Sequence, residues 1–459
     1  MHLAVIVLAA GKGTRMKSDV PKVLHGAAGR SLLDWVLTAA APLSAKETVV
    51  VIGHGADAVA DSLPEGAASI VQEPQLGTGD AVRVGLTACS DAVDTVLIVP
   101  GDMPLLETGT LAEVVETHYS VGAAATVLTA KLDDPTGYGR VERRGAQVVG
   151  IVEHGDADER QLAIDEVNTS VYAFDKAPLA EALGRLRTDN NQGEFYLTDV
   201  IATLNKGGHR VASVVADAIE GTGVNSHAQL AGVAQVLRSR INEQLMADGV
   251  AMIDPERVYI DADVDVAAGA HIYPDVHLEG TTVVGARAEV GPNVHARNTA
   301  IAPGATVRFS VLDGASIGPS ANVGPFTYLR PGADLGERSK AGAFVEIKNS
   351  TVGEGSKVPH LSYIGDTTIG TGTNIGAATV TVNYDGYDKH QTVIGDDVRI
   401  GSDTMLVAPV TIGDEAFTGA GSVITKDVSP GALAIERSTQ REIPGYADRR
   451  KRRAAQDGE

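Results

Sequence analysis

The C-terminal half of the chain carries apolar residues at nearly every sixth position. From Ile260 to Ile424 this six-residue repeat holds one phase over several turns, slips, and resumes. A helix has a period of 3.6 and a strand a period of 2, so neither fits as one continuous element. Small or turn-forming residues follow many repeat positions, as in Val290-Gly291 and Ile400-Gly401. The pattern predicts a β-helix of about nine coils, each of roughly eighteen residues, between 252 and 424.

The repeat breaks between Thr379 and Gln391. The intervening segment contains the string Asn383-Tyr-Asp-Gly-Tyr-Asp-Lys389, which lacks the regular apolar spacing. Function tends to lie where the chain leaves a repeat array. The sequence therefore predicts a functional loop at this position.

The N-terminal half alternates strand-like apolar runs with helix-like stretches. Strands are predicted for residues 3–10, 47–52, 68–72 and 95–99, and helices for 31–41 and 78–88. Such alternation is typical of a mainly parallel α/β sheet. Ligands of these sheets bind at the carboxyl ends of the strands, where a glycine-rich turn and Asp102 are expected to lie.

An amphipathic helix is predicted between the two halves of this 459-residue chain. Ser226 and Gln229 form a capping-box pattern, and Gly249 provides a stop. The helix could connect two domains or belong to the core of the first. The predicted organisation is an α/β domain over 1–226, a linker helix over 227–250, a β-helix domain over 251–437 and a polar, disordered tail over 438–459.

Composition and charge exclude several classes of protein. The formal net charge of -21 argues against non-specific nucleic-acid binding, although residues 449–453 form a short basic run. No apolar run is long enough to span a bilayer, and the N-terminus lacks a signal-peptide pattern. The single cysteine, Cys89, excludes an internal disulfide framework. We therefore expect a cytoplasmic protein with no membrane or nucleic-acid partner.

The first strand runs directly into the glycine-rich turn Ala9-Ala-Gly-Lys-Gly-Thr-Arg-Met16. This layout lets backbone N–H groups approach a phosphate, and Lys12 and Arg15 add positive charge. Its spacing matches neither the P-loop nor the dinucleotide-binding fingerprint, so the turn alone is a weak indication.

Together with Leu8 and Pro21-Lys22, this turn resembles the signature of sugar-phosphate nucleotidyltransferases. Joined to a hexapeptide β-helix, the chain resembles the family of bifunctional N-acetylglucosamine-1-phosphate uridyltransferases and glucosamine-1-phosphate N-acetyltransferases. The resemblance covers nearly the whole chain. It is carried by further strings, among them Gln75-Leu-Gly-Thr-Gly79, Pro135-Thr-Gly-Tyr-Gly-Arg140, Glu166-Val-Asn168, Gly223-Val-Asn225, Val345-Glu-Ile-Lys348, Pro359-His-Leu-Ser-Tyr363 and Val382-Asn-Tyr-Asp-Gly386.

Uridyl transfer requires charge neutralisation and alignment, because a sugar-1-phosphate oxygen attacks the α-phosphate of a nucleoside triphosphate. Arg15 and Lys22 are the natural cations for these phosphates. Asp102, just past a strand end, can hold Mg²⁺, which favours carboxylate and phosphate oxygens. The resemblance implies that Asn225 is the second Mg²⁺ ligand.

The resemblance also implies which residues bind the nucleotide and the sugar. Gln72, Gly77 and Thr78 are expected to contact the uracil, and Gly139, Glu153 and Asn168 the sugar. The remaining expected contacts of this site are Leu8, Ala9, Ala10, Gly11, Lys22 and Asn225.

Two residues depart from the expected family pattern. Asp80 stands where His is expected in close relatives, which places a carboxylate near the nucleotide site. Ser170 stands where Gly usually follows Asn-Thr. Both departures are expected to alter affinity without abolishing activity.

Acetyl transfer from a thioester to an amine requires a base and donors for the developing oxyanion. His360 is the candidate base because histidine titrates near working pH. Asn383 could orient His360 or the substrate, and Ala377 offers a backbone N–H for the oxyanion. No cysteine lies in this half of the chain, so an acetyl-cysteine route is excluded and direct transfer is expected.

The resemblance implies the binding residues of the acetyltransferase site and its assembly as a homotrimer in which loops of neighbouring subunits complete each site. The sugar phosphate is assigned to Arg330, Lys348, Tyr363, Asn374, Asn383, Tyr384 and Lys389. Acetyl-CoA is assigned to Ala377, Ser402, Ala420 and Arg437.

The predicted function is formation of UDP-N-acetylglucosamine, a precursor for peptidoglycan and the cell wall. Glucosamine-1-phosphate is acetylated from acetyl-CoA, and UMP is then transferred from UTP with Mg²⁺ and release of pyrophosphate. One alternative is a nucleotidyltransferase whose β-helix serves only assembly. Another is a regulatory module that binds a nucleotide sugar without turnover.

Overall fold

The computed structural model describes residues 2–456 of the chain. Its contacts divide the chain into two compact units, with the division between Ile241 and Asn242. The first unit contains an α/β sheet, and the second is built from three parallel sheets of short strands. The predicted fold class, a Rossmann-like nucleotidyltransferase domain followed by a parallel β-helix, is confirmed. The stacked sheets are consistent with the expected left-handed coil.

The first unit is organised around a nine-stranded sheet. The strands along its main path are, in spatial order, Val211–Ala216, Ala125–Lys131, Glu166–Asp175, Thr95–Pro100, Leu3–Ala9, Glu47–Ile52 and Ala67–Val71. Glu166–Asp175 runs antiparallel to both of its main-path neighbours and also pairs with Arg140–Arg144, which forms a hairpin with Gln147–Val152. The helices of the chain are Leu32–Ala40, Ala56–Asp61, Thr78–Ala88, Thr108–Val121, Glu159–Leu162, Lys176–Leu183, Asp199–Lys206, His227–Ala247 and Tyr446–Gln456.

The central strand is apolar throughout because helices cover both faces of the sheet. Ile6 packs into the core on one face, while Val5 and Val7 pack into the core on the other. The predicted strand 47–52 and helix 78–88 agree with the structure. The predicted strands 3–10 and 95–99 differ from it by one residue at one end, and the strand 68–72 and helix 31–41 differ by one residue at each end. The helix predicted over 227–250 ends at Ala247. Ser31 caps the helix Leu32–Ala40 through a reciprocal capping box with Asp34.

The second unit repeats strand–corner–strand through three faces. Face 1 contains Ala251–Met252, His271–Ile272, Glu289–Val290, Thr306–Val307, Asn322–Val323, Lys340–Ala343, Lys357–His360, Asn374–Ile375, Arg399–Ile400, Phe417–Thr418 and Leu433–Ala434. Face 2 contains Val258–Ile260, Val276–Glu279, Val294–Arg297, Ser310–Asp313, Tyr328–Leu329, Glu346–Lys348, Tyr363–Gly365, Val380–Val382, Met405–Val407 and Val423–Ile424. Face 3 contains Asp265–Val266, Val283–Val284, Ala300–Ile301, Ser316–Ile317, Ala333–Leu335, Ser350–Val352, Thr367–Ile369, Thr392–Ile394 and Val410–Ile412.

The six-residue repeat corresponds to the inward position of each short strand. Ile260, Val266 and Ile272 lie on the three faces of one coil, and all three are buried. Each pairs in register with the repeat residue of the next coil, as Ile260 does with Leu278. The interior is therefore a stack of aliphatic side chains, which explains the low aromatic content of 4%.

The helix His227–Ala247 crosses the division between the units. In the first unit, Val233 and Leu237 are buried against Leu105. In the second, the buried Asn242 donates hydrogen bonds to the carbonyls of Pro255 and Val258 at 2.8 and 3.0 Å. No helix within residues 2–456 has the length and apolarity needed to cross a membrane.

The predicted polar tail, 438–459, contains one helix. Residues Tyr446–Gln456 form a helix in which no residue is buried. Alanine, arginine, lysine and glutamine all favour helix, so local propensity accounts for this element without tertiary packing.

Candidate active sites

A cavity of about 550 Å³ opens at the carboxyl edge of the α/β sheet. The strands Leu3–Ala9 and Thr95–Pro100 are parallel neighbours, so the residues that follow them meet at this edge. Predicted residues that line the cavity are Leu8, Ala9, Ala10, Gly11, Lys22, Gln72, Gly77, Thr78, Asp102 and Asn168. Lys12 and Ser170 also line the cavity, together with Tyr138, Thr169 and Glu194, which the sequence analysis did not single out.

Lys22 links the two predicted Mg²⁺ ligands. Its ammonium group forms a short ion pair with Asp102 and lies 3.3 Å from Asn225 Oδ1. Asn225 reaches this point because the backbone N–H of Val224 donates to the carbonyl of Asp102 at 2.9 Å. Gly13 permits this approach of Lys22, since its φ is +57° and a Cβ there would lie 2.7 Å from Lys22 Cβ.

The predicted sugar residues also lie close together. The backbone N–H of Asn168 donates to Gly139 O at 2.9 Å, and a Cβ on Gly139 would lie 3.5 Å from Glu153 Oε2. Thr198 Oγ1 donates to Glu153 Oε1 at 3.1 Å. Burial raises the pKa of the Glu153 carboxyl group, only partly offset by this hydrogen bond.

Arg15 is a predicted cation for the substrate phosphates, but it does not line the cavity. Arg15 lies in the short helix Thr14–Met16, where its side chain is exposed.

Ser170 adopts a φ of +64°, a conformation that glycine adopts without strain. Its backbone N–H donates to Asn168 Oδ1 at 3.0 Å, which holds the amide of a predicted sugar-binding residue. The backbone conformation at position 170 therefore explains why the family usually carries glycine there, where this chain has serine.

In the second unit, the predicted acetyl-CoA residues align on the corner between faces 1 and 2. His360 ends a face 1 strand, and its carbonyl accepts from Ala378 N–H at 3.4 Å. On the next coil, Ala377 O accepts a hydrogen bond from Asp403 N–H at 2.7 Å. On the coil after that, Ser402 O accepts one from Gly421 N–H at 2.8 Å. Arg437 donates to Ala420 O at 2.7 Å. His360 itself is exposed.

A polar cluster occupies the other end of the face 2 strands. Asp366 accepts hydrogen bonds from Asn349 at 2.7 Å and Asn383 at 2.5 Å, and Lys348 Nζ lies 3.8 Å away. Burial acts to raise the pKa of Asp366, but these two amides, with Lys348 and Lys389, outweigh it and lower the pKa. Asp366 therefore remains an anion that orients Asn383.

Gly365 and Asp366 both belong to this cluster, and the sequence analysis predicted neither of them as a site residue. A Cβ on Gly365 would lie 2.5 Å from the Tyr363 hydroxyl and 2.7 Å from Asn383 Nδ2. The loop predicted to be functional is closed beside Gly365, where His390 N–H donates to Asn383 O at 2.8 Å. Tyr384 and Lys389 form an antiparallel bridge within the loop.

Other predicted residues stand apart from this cluster. Arg330 pairs with Glu346 at 2.8 Å on face 2, and Asn374 lies on face 1. His360 and Ala377 precede the face 2 strands, whereas Lys348 and Asn383 lie at or beyond their carboxyl ends. The chain therefore places the candidate base and most of the predicted sugar-phosphate residues at opposite ends of one face.

The fold and the first cavity define a nucleotidyltransferase joined to a hexapeptide-repeat β-helix. The MobA-like NTP transferase domain profile matches residues 5–196, and the GMPPB C-terminal domain profile matches residues 311–414.

Relatives over nearly the full length specify the family. The chain is 52% identical to the bifunctional protein GlmU of Streptomyces coelicolor, over 98% of this chain and 94% of that protein. Identity is 51% to the bifunctional protein GlmU of Thermobifida fusca, with the same coverage, and 49% to that of Mycobacterium bovis, over 98% and 92%. The chain belongs to the bifunctional GlmU family. It is an enzyme with two activities, N-acetylglucosamine-1-phosphate uridyltransferase and glucosamine-1-phosphate N-acetyltransferase.

Proposed function

We propose that the two activities use separate sites that act in sequence on one sugar. The β-helix domain, 251–437, acetylates glucosamine-1-phosphate from acetyl-CoA, and the α/β domain, 1–226, transfers UMP from UTP to the product. The observation that carries the uridyl step is the Lys22 ammonium between Asp102 and Asn225 in the cavity. The test is whether the purified chain releases free thiol in the first assay and pyrophosphate in the second.

In the uridyl site, the backbone of the Gly11 turn and the charges of Lys22 and Arg15 bind the phosphates of UTP. Their charge lowers the repulsion that an incoming sugar phosphate meets at the α-phosphate. The exposed Arg15 side chain reaches the triphosphate from outside the cavity wall. Gln72, Gly77 and Thr78, which also line the cavity, hold the uracil.

Mg²⁺ is the metal that this donor set fits. Asp102 and Asn225 both present side-chain oxygens to one cation, the Lys22 ammonium, and oxygen ligands are those that Mg²⁺ prefers. Within residues 2–456 no cluster of three or more His, Cys, Asp or Glu side chains offers an alternative metal site. When bound, the ion neutralises phosphate charge and orients the phosphates, and Asp102 and Asn225 hold it.

The raised pKa of Glu153 predicts a pH dependence of sugar binding. Only the ionised carboxylate accepts hydrogen bonds from sugar hydroxyls through both oxygens. Because the pKa lies above its usual value, this acceptor is lost at a higher pH than an exposed Glu would be. We expect the KM for N-acetylglucosamine-1-phosphate to rise as pH falls through this pKa, and the KM for UTP to change little.

Glu153→Gln tests this assignment by keeping the shape and removing the titration. The variant should raise the KM for the sugar phosphate by about tenfold at pH 8, the cost of a charged hydrogen bond. It should also flatten the pH dependence of that KM. An unchanged profile would assign the titration to another group.

In the acetyl site, His360 removes the proton from the attacking amine, because a protonated amine is not a nucleophile. The backbone N–H of Ala377 donates to the developing oxyanion. Ser402, Ala420 and Arg437 continue the same corner and bind acetyl-CoA. Lys348, Tyr363 and Asn383 bind the sugar phosphate together with Arg330, Asn374, Tyr384 and Lys389.

Gly365→Ala should disable acetyl transfer without replacing any of the proposed substrate-binding residues. The added methyl group displaces the Tyr363 hydroxyl and the Asn383 amide, which leave no room for it. A displacement of about 1 Å can cost roughly a hundredfold in rate, and we expect a loss of that size in thiol release. Pyrophosphate release from the same preparation is the internal control, and an equal loss of both activities would indicate misfolding instead.

We propose a homotrimer that brings His360 of one subunit near the sugar-phosphate residues of another. The supporting feature is an apolar ladder on the corner that also carries His360, formed by Phe309, Phe326, Phe344 and Leu361, which are 39%, 57%, 59% and 61% exposed. Phe326 and Phe344 stack with their ring centroids 5.2 Å apart. A contiguous apolar strip of this kind favours burial against another chain.

Phe326→Glu should convert the trimer to monomers, because it places charges in a buried apolar contact. Sedimentation should show a fall in mass from three times to once the chain mass of 47.4 kDa, with loss of thiol release. Val283→Glu is the matched control, since Val283 is 45% exposed on face 3, away from the ladder. A trimer that survives Phe326→Glu would place the interface elsewhere.

The partners proposed are otherwise small molecules, and the proposed location is the cytoplasm. A net charge of -21 disfavours nucleic acid and anionic membranes.

A further inference from the structure

Asp80 is a buried carboxylate immediately behind the wall of the nucleotide cavity. It lies in the first turn of the helix Thr78–Ala88 and is 6% exposed. Gln72, Gly77 and Thr78 line the cavity in front of it. A carboxylate is an unusual neighbour for a site that binds a triphosphate, so its contacts are informative.

The contacts of Asp80 fix one neighbouring amide. Gln72 Nε2 donates to Asp80 Oδ2 at 2.8 Å and to the backbone carbonyl of Gly77 at 3.1 Å. The other Asp80 oxygen forms a short ion pair with Arg83, whose guanidinium lies 5.6 Å from the centroid of the Phe195 ring. Gln72 is only 4% exposed, so water cannot compensate for a lost partner.

An ionised carboxylate accepts hydrogen bonds and cannot donate them. Asp80 therefore holds the NH₂ group of Gln72 toward itself. If the amide rotated by half a turn, Gln72 Oε1 would face two acceptor oxygens, those of Asp80 and Gly77. This leaves Gln72 Oε1 as the atom that a ligand in the cavity can meet. Oε1 can only accept.

We propose that Asp80 is a positioning residue that sets nucleobase selectivity by locking the Gln72 amide. The inference rests on the uridyltransferase function proposed above. Uracil carries an N3–H that can donate to Gln72 Oε1. Cytosine has an unprotonated N3, so the locked amide would face it acceptor to acceptor, and a buried mismatch of this kind is strongly rejected.

Asp80→Asn tests the lock at nearly constant volume. The asparagine can accept from Gln72 Nε2 or donate to Gln72 Oε1, so the rotated amide gains a donor and opposes only the Gly77 carbonyl. We expect the ratio of kcat/KM for UTP to that for CTP to fall by at least about tenfold, chiefly through a gain with CTP. Pyrophosphate release is measured at pH 8 with each nucleotide.

Arg83→Met is the matched control. It removes the ion pair of Asp80 but keeps the bond to Gln72, and Arg83 is 56% exposed. We expect it to lower thermal stability without changing the UTP-to-CTP ratio. If both variants leave the ratio unchanged, or if Arg83→Met lowers it as much as Asp80→Asn does, Asp80 is only a structural ion-pair partner and the inference is wrong. If the wild-type chain releases no pyrophosphate from UTP, the proposed function itself fails instead.

Discussion

Replacing His360 with alanine should lower thiol release from acetyl-CoA by about a hundred- to ten-thousandfold, the usual contribution of a general base. His360 is exposed at the corner between faces 1 and 2. The adjacent corner positions, Ala377 and Ser402, follow on successive coils and are the proposed contacts of acetyl-CoA. Pyrophosphate release should remain at the wild-type level, because the nucleotide cavity is built within the other unit.

The matched control for this variant is His271→Ala. His271 is also an exposed histidine on a face 1 strand, but it lies several coils before the proposed site. It should retain thiol release. Wild-type thiol release that does not depend on His360 would assign the base to another residue.

Asp102→Ala should produce the largest loss on the uridyl side, at least about a thousandfold in pyrophosphate release. The carboxylate is the charged member of the proposed Mg²⁺ ligand pair, and it also holds Lys22. Its removal leaves the Lys22 ammonium with Asn225 as its remaining partner at this point. Thiol release should be unaffected.

Metal removal provides an independent arm of the same test. Excess EDTA should abolish pyrophosphate release from the wild-type chain and leave thiol release intact. Asp61→Ala, an exposed aspartate at the end of the helix Ala56–Asp61, is the control and should behave as wild type. Equal activity of Asp102→Ala and wild type at saturating Mg²⁺ would rule out Asp102 as a ligand.

The β-helix was predictable because its information is local and repeated. Each inward residue, such as Ile260, meets an equivalent residue one coil away, so a sequence period becomes a spatial ladder. The α/β sheet was only partly predictable. The parallel strands carry continuous apolar runs, but the antiparallel strand Glu166–Asp175 and its hairpin partners follow from long-range pairing that no local signal specifies.

The residues of the candidate sites were likewise predictable only in part. Asp102 could be predicted because it follows a strand and strand ends meet at one edge. Asn225 came only from resemblance, since its place depends on a backbone hydrogen bond between Val224 and Asp102. Gly365 and Asp366 were missed because a single glycine or aspartate in a repeat carries no motif. Their roles arise from the approach of Asn383 in the folded chain.

The loop at Asn383 enters the β-helix without disturbing the stack. Val398 N–H bonds to Thr373 Oγ1 across 25 residues, whereas one coil earlier Thr373 N–H bonds to Ser356 Oγ across 17. The extra length is absorbed at a corner, and the strands on either side keep their register. The coils of the β-helix therefore do not depend on the length of the loop. The length and sequence of this loop can therefore change while the repeating support keeps its register.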